Sequence, residues 1–144
     1  LSLRVEKIIC IARKDSIPHD DRLSIVINEH PEEGMLSSVD LGIHADQSAD
    51  GYLIWPVDHP FVSEETIGAL IAAFNQYPAS VICPSYQGKS GHPIMLPSKI
   101  AAKITKQDII GGLKQLLLNL KAEFCYVAVG DAAILKNINC KEDF

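Results

Sequence analysis

Residues 51–74 read GYLIWPVDHPFVSEETIGALIAAF, and their interpretation decides the fold. The apolar run Tyr52-Leu53-Ile54-Trp55 has the length of a strand and stops at Pro56. Pro56 and Pro60 fix their own φ and restrict the residue before them, so the loop they bound is stiff. Ser63 is placed to cap a helix, and Glu64 and Glu65 bring negative charge to its first turn, where the helix dipole favours it. Ile67, Leu70, Ile71 and Phe74 then recur at i, i+3, i+4 and i+7, the spacing of one buried helical face. Between strand and helix the chain presents a carboxylate, Asp58, beside a histidine, His59.

The same alternation extends in both directions. Lys7 to Ala12 reads as a buried strand and Leu23 to Asn28 as a second. Met35 to Ala45 reads as a helix with Leu36, Val39 and Ile43 on one face. Ser80 to Cys83 is a strand ended by Pro84, and the polar, glycine-containing loop SYQGKSGHP follows it. Ile94 to Leu96 is a short strand. Gly112 to Leu120 is a helix with Leu113, Leu116, Leu117 and Leu120 inward, and Phe124 to Val129 is a strand. The final ILKNINCKEDF is an extended piece entering a helix. Strands alternating with helices predict an α/β fold, a mostly parallel sheet with helices on both faces. Ligands of such sheets bind outside the carboxyl ends of the strands, which is where Asp58 falls.

The length, 144 residues, suits one domain with a single core. The formal net charge of -5, without a basic run, argues against nucleic-acid binding through phosphates. A small anionic ligand stays open where local basic groups or a metal offset that charge. No apolar stretch reaches the roughly 18 residues of a spanning helix, and LSLRVEKIICIARKD lacks the features of a signal peptide. Cys10, Cys83, Cys125 and Cys140 are far apart and form no CxxC. They read as reduced, buried thiols of a cytoplasmic protein, with a disulfide or a zinc site as alternatives.

Several residues are chemical candidates. Asp58, at a strand end, suits Mg²⁺, a hard cation that often takes only one or two protein carboxylates beside phosphate oxygens; it equally suits a helix cap or a solvated loop. His59 either contacts a phosphate, orients Asp58, or fills the gap between two prolines. In YQGKSGHP (Tyr86 to Pro93), glycines let backbone approach a ligand, Lys89 suits a phosphate and His92 a substrate hydrogen bond; the alternative is a surface hairpin. In EEGMLSSV (Glu32 to Val39), a glycine and two hydroxyls stand at a helix start, where anions bind or an ordinary cap forms. Asn139 is a candidate second oxygen ligand. His19, His30 and His44 sit among polar residues and read as surface groups.

Taken in order, NEHPEEGMLSSVDLGI, GYLIWPVDHPFVSEETIGALIAAF, VICPSYQGKSGHPIML and ILKNINCKEDF resemble the MobA-like nucleotidyltransferases, which include the molybdenum cofactor cytidylyl- and guanylyltransferases. The resemblance runs from about Val5 to Phe144. It implies a three-layer, Rossmann-like sheet of the nucleotide-diphospho-sugar transferase type. It also implies transfer of NMP from an NTP to a phosphate on a small acceptor, with Mg²⁺ and release of pyrophosphate. CTP is favoured over GTP, and a molybdopterin cofactor is the acceptor of choice. By the same resemblance Asp58 and Asn139 hold the metal, with Asp58 and His59 at the catalytic position. Gly34, Ser37 and Ser38 face the nucleotide, and Lys89, Gly91 and His92 face the acceptor. Cys140 and Lys141 depart from the family's Thr-Pro.

Family members open with a strand and the signature Leu-Ala-Ala-Gly-x-Ser-x-Arg-Met-Gly, which nothing in this sequence matches. The expectation is therefore one N-terminally incomplete domain over residues 1–144, lacking the first strand and the phosphate loop. Two rival readings keep the fold: transfer to a sugar or alcohol phosphate, and a non-catalytic nucleotide-binding or regulatory paralogue. The base, the acceptor and the oligomeric state, a homo-oligomer included, stay open.

Overall fold

The structure is a computed structural model that describes residues 5–104 and 111–139. Cys140 and Lys141, and the helix expected at the end of the chain, lie outside the described residues. The chain divides into two compact units, one of Leu1–Asp50 and Ser98–Lys121, the other of Gly51–Pro97 and Ala122–Phe144.

In the first unit, strands β1 (Ile8–Ala12) and β2 (Leu23–Ile27) pair in parallel, from Ile8 opposite Leu23 to Ala12 opposite Ile27. Helix α1 (Met35–Ala45) packs on both strands and buries Leu36, Val39 and Ile43, the face its periodicity predicts. The unit also holds the short helix α3 (Ser98–Ala101) and α4 (Gly112–Asn119), which buries Leu113, Leu116 and Leu117. Strand β1 is less buried than its apolar sequence suggests. Ile8 is 52% exposed, and β2 is the only strand that β1 pairs with among the described residues.

The second unit holds β3 (Gly51–Ile54), α2 (Glu64–Gln76), β4 (Val81–Tyr86), β5 (Lys89–Ser90), β6 (Ile94–Pro97) and β7 (Phe124–Ala128). The strands form one five-stranded sheet in the order β3-β6-β4-β5, with β7 beside β4. Strands β3, β4 and β7 share a direction, because β7 is parallel to β4 while β6 runs against both β3 and β4. The α/β class is thus as expected, and the pairing within this sheet is mixed rather than mostly parallel. The reversal is made at Gln87 and Gly88, whose φ values of 49° and 78° give the two-residue turn that matches strand twist in a hairpin.

One boundary differs from expectation. Strand β4 does not end at Pro84 but runs through it to Tyr86. A proline lacks an N–H and is tolerated where no ladder bond needs one. Pro84 stands where the pairing to β6, made at Ile82, has ended and the pairing to β5, begun at Ser85, has not started.

The core of this unit is Leu70 and Phe74 of α2 against Ile82 and Met95 of the sheet, with Leu53, Ile71, Cys125 and Val127 packed around them. Each such large apolar side chain contributes roughly 1.5–3 kcal/mol on burial. The core fixes α2 across the sheet and so fixes the loop before it. Cys83 is buried, as the sequence predicts, whereas Cys10 and Cys125 are only half-buried. No helix among the described residues is long and apolar enough to cross a membrane.

Candidate functional site

Because Ile54 of β3 lies opposite Ile94 of the antiparallel β6, the chain leaving β3 and the chain entering β6 emerge on the same rim of the sheet. Asp58 and His59 are on the first, His92 on the second. The loop after β3 is held by more than its prolines. The indole Nε1 of Trp55 donates to the carbonyl of His59 at 2.9 Å, and the His59 amide donates to the Pro56 carbonyl at 3.1 Å. The amide of Ile138 donates to the Asp58 carbonyl at 2.7 Å.

This framework sets the orientation of the Asp58 carboxylate. Its side chain is 37% exposed, but Oδ1 is turned inward and has no hydrogen-bond partner among the described residues. Oδ1 lies 3.8 Å from Nε2 of His59, too far for a hydrogen bond. His59 is buried, and its ring meets that of His92 at 5.2 Å between centroids with the planes tilted by 54°. Nδ1 of each ring is buried and unbonded among the described residues. Burial pushes the pKa of His92 below the ordinary imidazole value; the nearby His59 adds to this and Asp58 opposes it. The His92 ring is therefore held in its neutral form more firmly than a free histidine.

Gly91 and His92 are fixed by their backbones. The Gly91 amide donates to the Pro84 carbonyl at 3.1 Å and the His92 amide to the Ile134 carbonyl at 3.0 Å. A Cβ on Gly91 would run into that same Ile134 carbonyl, so glycine is required for the close approach of the two segments. Lys89 is exposed on β5, beyond the turn, and has no salt bridge among the described residues.

Asn139 follows Ile138 directly, so the bond that anchors Asp58 also brings the Asn139 segment to this rim. A carboxylate oxygen and an amide oxygen are hard donors and fit a divalent cation that completes its shell with water and phosphate oxygens. The unpartnered Oδ1 of Asp58 agrees with that fit, since a buried carboxylate oxygen normally has a partner. Among the described residues no group of three or more His, Cys, Asp and Glu side chains is placed to hold a metal by itself. An open cleft of about 390 Å³, lined by Phe61, Lys136, Asn137 and Ile138, shares Ile138 with the Asp58 anchor.

Asp131 is a residue the sequence reading missed. Its carboxylate accepts from the Ser63 amide at 2.8 Å, the Thr66 hydroxyl at 3.0 Å and the Ala133 amide at 2.9 Å. It thereby ties the start of α2 to the short 3-10 turn Ala132–Leu135. Burial raises its pKa, but the amides of Ser63 and Ala133 and the hydroxyls of Thr66 and Ser63 outweigh this and hold it below the ordinary carboxylate value. Ser63 caps α2 as predicted, its side chain accepting from the Thr66 amide.

Gly34, Ser37 and Ser38 belong to the first unit. Gly34 caps α1 with φ of 88°, a conformation that favours glycine, and space is open where its Cβ would stand. The Ser37 hydroxyl is buried; it donates to the Gly34 carbonyl at 2.8 Å and accepts from Nδ2 of Asn28 at 2.8 Å. The same Nδ2 reaches the Ser38 hydroxyl at 3.0 Å, and Oδ1 of Asn28 accepts from the His30 amide at 2.9 Å. Asn28, also missed, therefore organises the whole turn into α1. His19, His30 and His44 are exposed, as expected; His30 pairs with Glu32 and His44 with Asp40.

Comparison with known proteins gives the family and the fold. A family model described as a MobA-like NTP transferase domain matches residues 1–135. No curated protein matches the chain. Among solved structures, the 2-C-methyl-D-erythritol 4-phosphate cytidylyltransferase of Thermus thermophilus superimposes with a TM-score of 0.71 at 15% identity, over 96% of this chain and 78% of its own. Rv0371c of Mycobacterium tuberculosis H37Rv in complex with manganese gives 0.73 at 14% identity, over 96% of this chain and 74% of its own. Molybdopterin-guanine dinucleotide biosynthesis protein A of Archaeoglobus fulgidus gives 0.59 at 16% identity, over 83% of this chain and 63% of its own. At these identities the superpositions speak for the fold, and the family match speaks for the class of enzyme: the chain belongs to the MobA-like NTP transferase family, and it is a nucleotidyltransferase.

Proposed function

We propose that the chain binds an NTP with Mg²⁺ and transfers NMP to a phosphate on a small acceptor, with release of pyrophosphate. The observation that carries this reading is the inward-turned, unpartnered Oδ1 of Asp58, on a loop anchored from both sides at the carboxyl end of β3. Asp58 supplies an anionic oxygen and Asn139 a neutral one. Gly34, Ser37 and Ser38 face the nucleotide in this reading, and Ser37 and Ser38 are held in the turn into α1 through Asn28. The loop from Lys89 to His92 faces the acceptor, and Lys89 offsets the charge of the incoming phosphate. When bound, the cation neutralises charge on the polyphosphate oxygens and helps to align them for in-line displacement. The manganese complex of Rv0371c supports a divalent cation in this fold. The names of the cytidylyltransferase and of protein A support CTP and GTP as the nucleotides to try first, and a molybdopterin as one acceptor.

The test is a pyrophosphate-release assay. CTP and GTP are each paired with molybdopterin, sugar phosphates and alcohol phosphates, with Mg²⁺ and with chelator, alongside calorimetric titration of Mg²⁺ and NTP. Release with one acceptor class, abolished by Asp58→Ala in a folded protein, is the expected result. Binding without release from any acceptor would favour a nucleotide-binding paralogue. Neither binding nor release would overturn the reading.

A further inference from the structure

We infer that His92 is a positioning residue for the metal-binding carboxylate and acts on Asp58 through the ring of His59. This rests on the proposed role of Asp58. Asp58 Oδ1, the His59 ring and the His92 ring form a packed line, at 3.8 Å and then 5.2 Å. Both ends of the line are held at their main-chain atoms, with one side-chain donor, the Trp55 indole, at the Asp58–His59 end. The Asp58 and His59 end is held by Ile138, Trp55 and Pro56. At the other end the His92 amide is held by Ile134, and Gly91, before it, by Pro84.

Among the described residues, His59 has no hydrogen bond at Nδ1 to keep its Nε2 toward Oδ1, so no bond at that nitrogen fixes the rotation of the ring. What stands beside the ring is that of His92, 5.2 Å away between centroids and tilted by 54°. His92 meets His59 ring to ring, and its Nδ1 makes no hydrogen bond among the described residues. Groups that orient a metal ligand typically change metal affinity by roughly 10–100-fold when removed. The side chain of His92 thus works inward, on the cation, although its loop faces the acceptor.

The experiment measures the apparent Mg²⁺ constant for NTP binding, without acceptor, in wild type, Asp58→Ala, His59→Ala, His92→Ala, His92→Phe and the double variant His59→Ala/His92→Ala. Thermal unfolding of each serves as the folding control. His92→Ala is expected to weaken the Mg²⁺ constant on the order of tenfold. His92→Phe, which keeps a ring against His59, is expected to restore most of that loss. The double variant is expected to be no weaker than His59→Ala alone, because the two residues act in one line. A Mg²⁺ constant unaltered by His92→Ala, or losses that add in the double variant, would overturn the inference while Asp58→Ala still abolished binding. A wild type without metal-dependent NTP binding would overturn the proposed function and this inference together. If His92→Ala does not fold, His92→Leu against His92→Phe decides by the same constant.

Discussion

The amide of Ile138 donates to the carbonyl of Asp58 at 2.7 Å, joining the loop after β3 to the segment that carries Asn139. One backbone bond therefore brings together the two oxygen donors proposed for the cation. Ile138→Pro removes that donor. The expected cost is about 0.5–1.5 kcal/mol of stability, the net contribution of one hydrogen bond, read from urea unfolding. Metal-dependent NTP affinity should fall more than this loss of stability accounts for. A variant with normal affinity would show that the two segments are placed independently.

Gly91→Ala is expected to be among the most damaging single substitutions. The added methyl group meets backbone at Ile134, which cannot rotate away as a side chain would. Overpacking of this kind costs about 1–3 kcal/mol, and a backbone obstacle puts it at the upper end. Chemical denaturation measures it. Gly34→Ala meets no atom within 4 Å and is strained only by its φ of 88°, so its smaller cost should appear beside a change in nucleotide affinity.

Asp131 gives a prediction in pH. Its pKa is lowered from 3.8 in the folded chain, so the unfolded chain binds the proton more readily. The stability it contributes is then fully present above the ordinary carboxylate value and is lost as pH falls through the lowered one. Asp131→Asn should destabilise at neutral pH, and the gap between wild type and variant should close below about pH 4. Urea unfolding at neutral and acid pH measures the gap; a gap independent of pH would assign the effect to shape rather than charge.

Asn28→Ala would leave the buried Ser37 hydroxyl without its donor and the His30 amide without its acceptor. The expected loss is about 1–3 kcal/mol. Hydrogen exchange should show it first in the turn between β2 and α1. An unchanged exchange pattern there would show that the turn holds without Asn28.

Much of this architecture was legible from residues alone, and for local reasons. The apolar period placed α1 and the buried face of α2, and Ser63 marked where α2 begins. The direction of β6 was not legible, because it depends on Gln87 adopting a positive φ, which its side chain does not favour. The passage of β4 through Pro84 depends on where two neighbouring ladders stop, which no single strand reveals. At the site, the strand-end position of Asp58 followed from the proline after the apolar run. The anchor at Ile138 involves main-chain atoms, which leave no mark in a sequence. The hydroxyls of Ser37 and Ser38 were visible as hydroxyls, but nothing local said that Asn28 would engage both. Asp131 acts on Ser63 across 68 positions, with only the glycine before it to mark a turn.

The chain enters each of its two units twice, so neither can be completed from one uninterrupted stretch. Residues from Gly51 to Pro97 carry Asp58, His59 and His92 together, whereas Ile138 arrives only after β7. On a translating ribosome, where chains emerge N-terminus first, the two imidazoles can meet before the carboxylate beside them is clamped. Ion binding would then be acquired late in synthesis, when the returning segment closes on the loop.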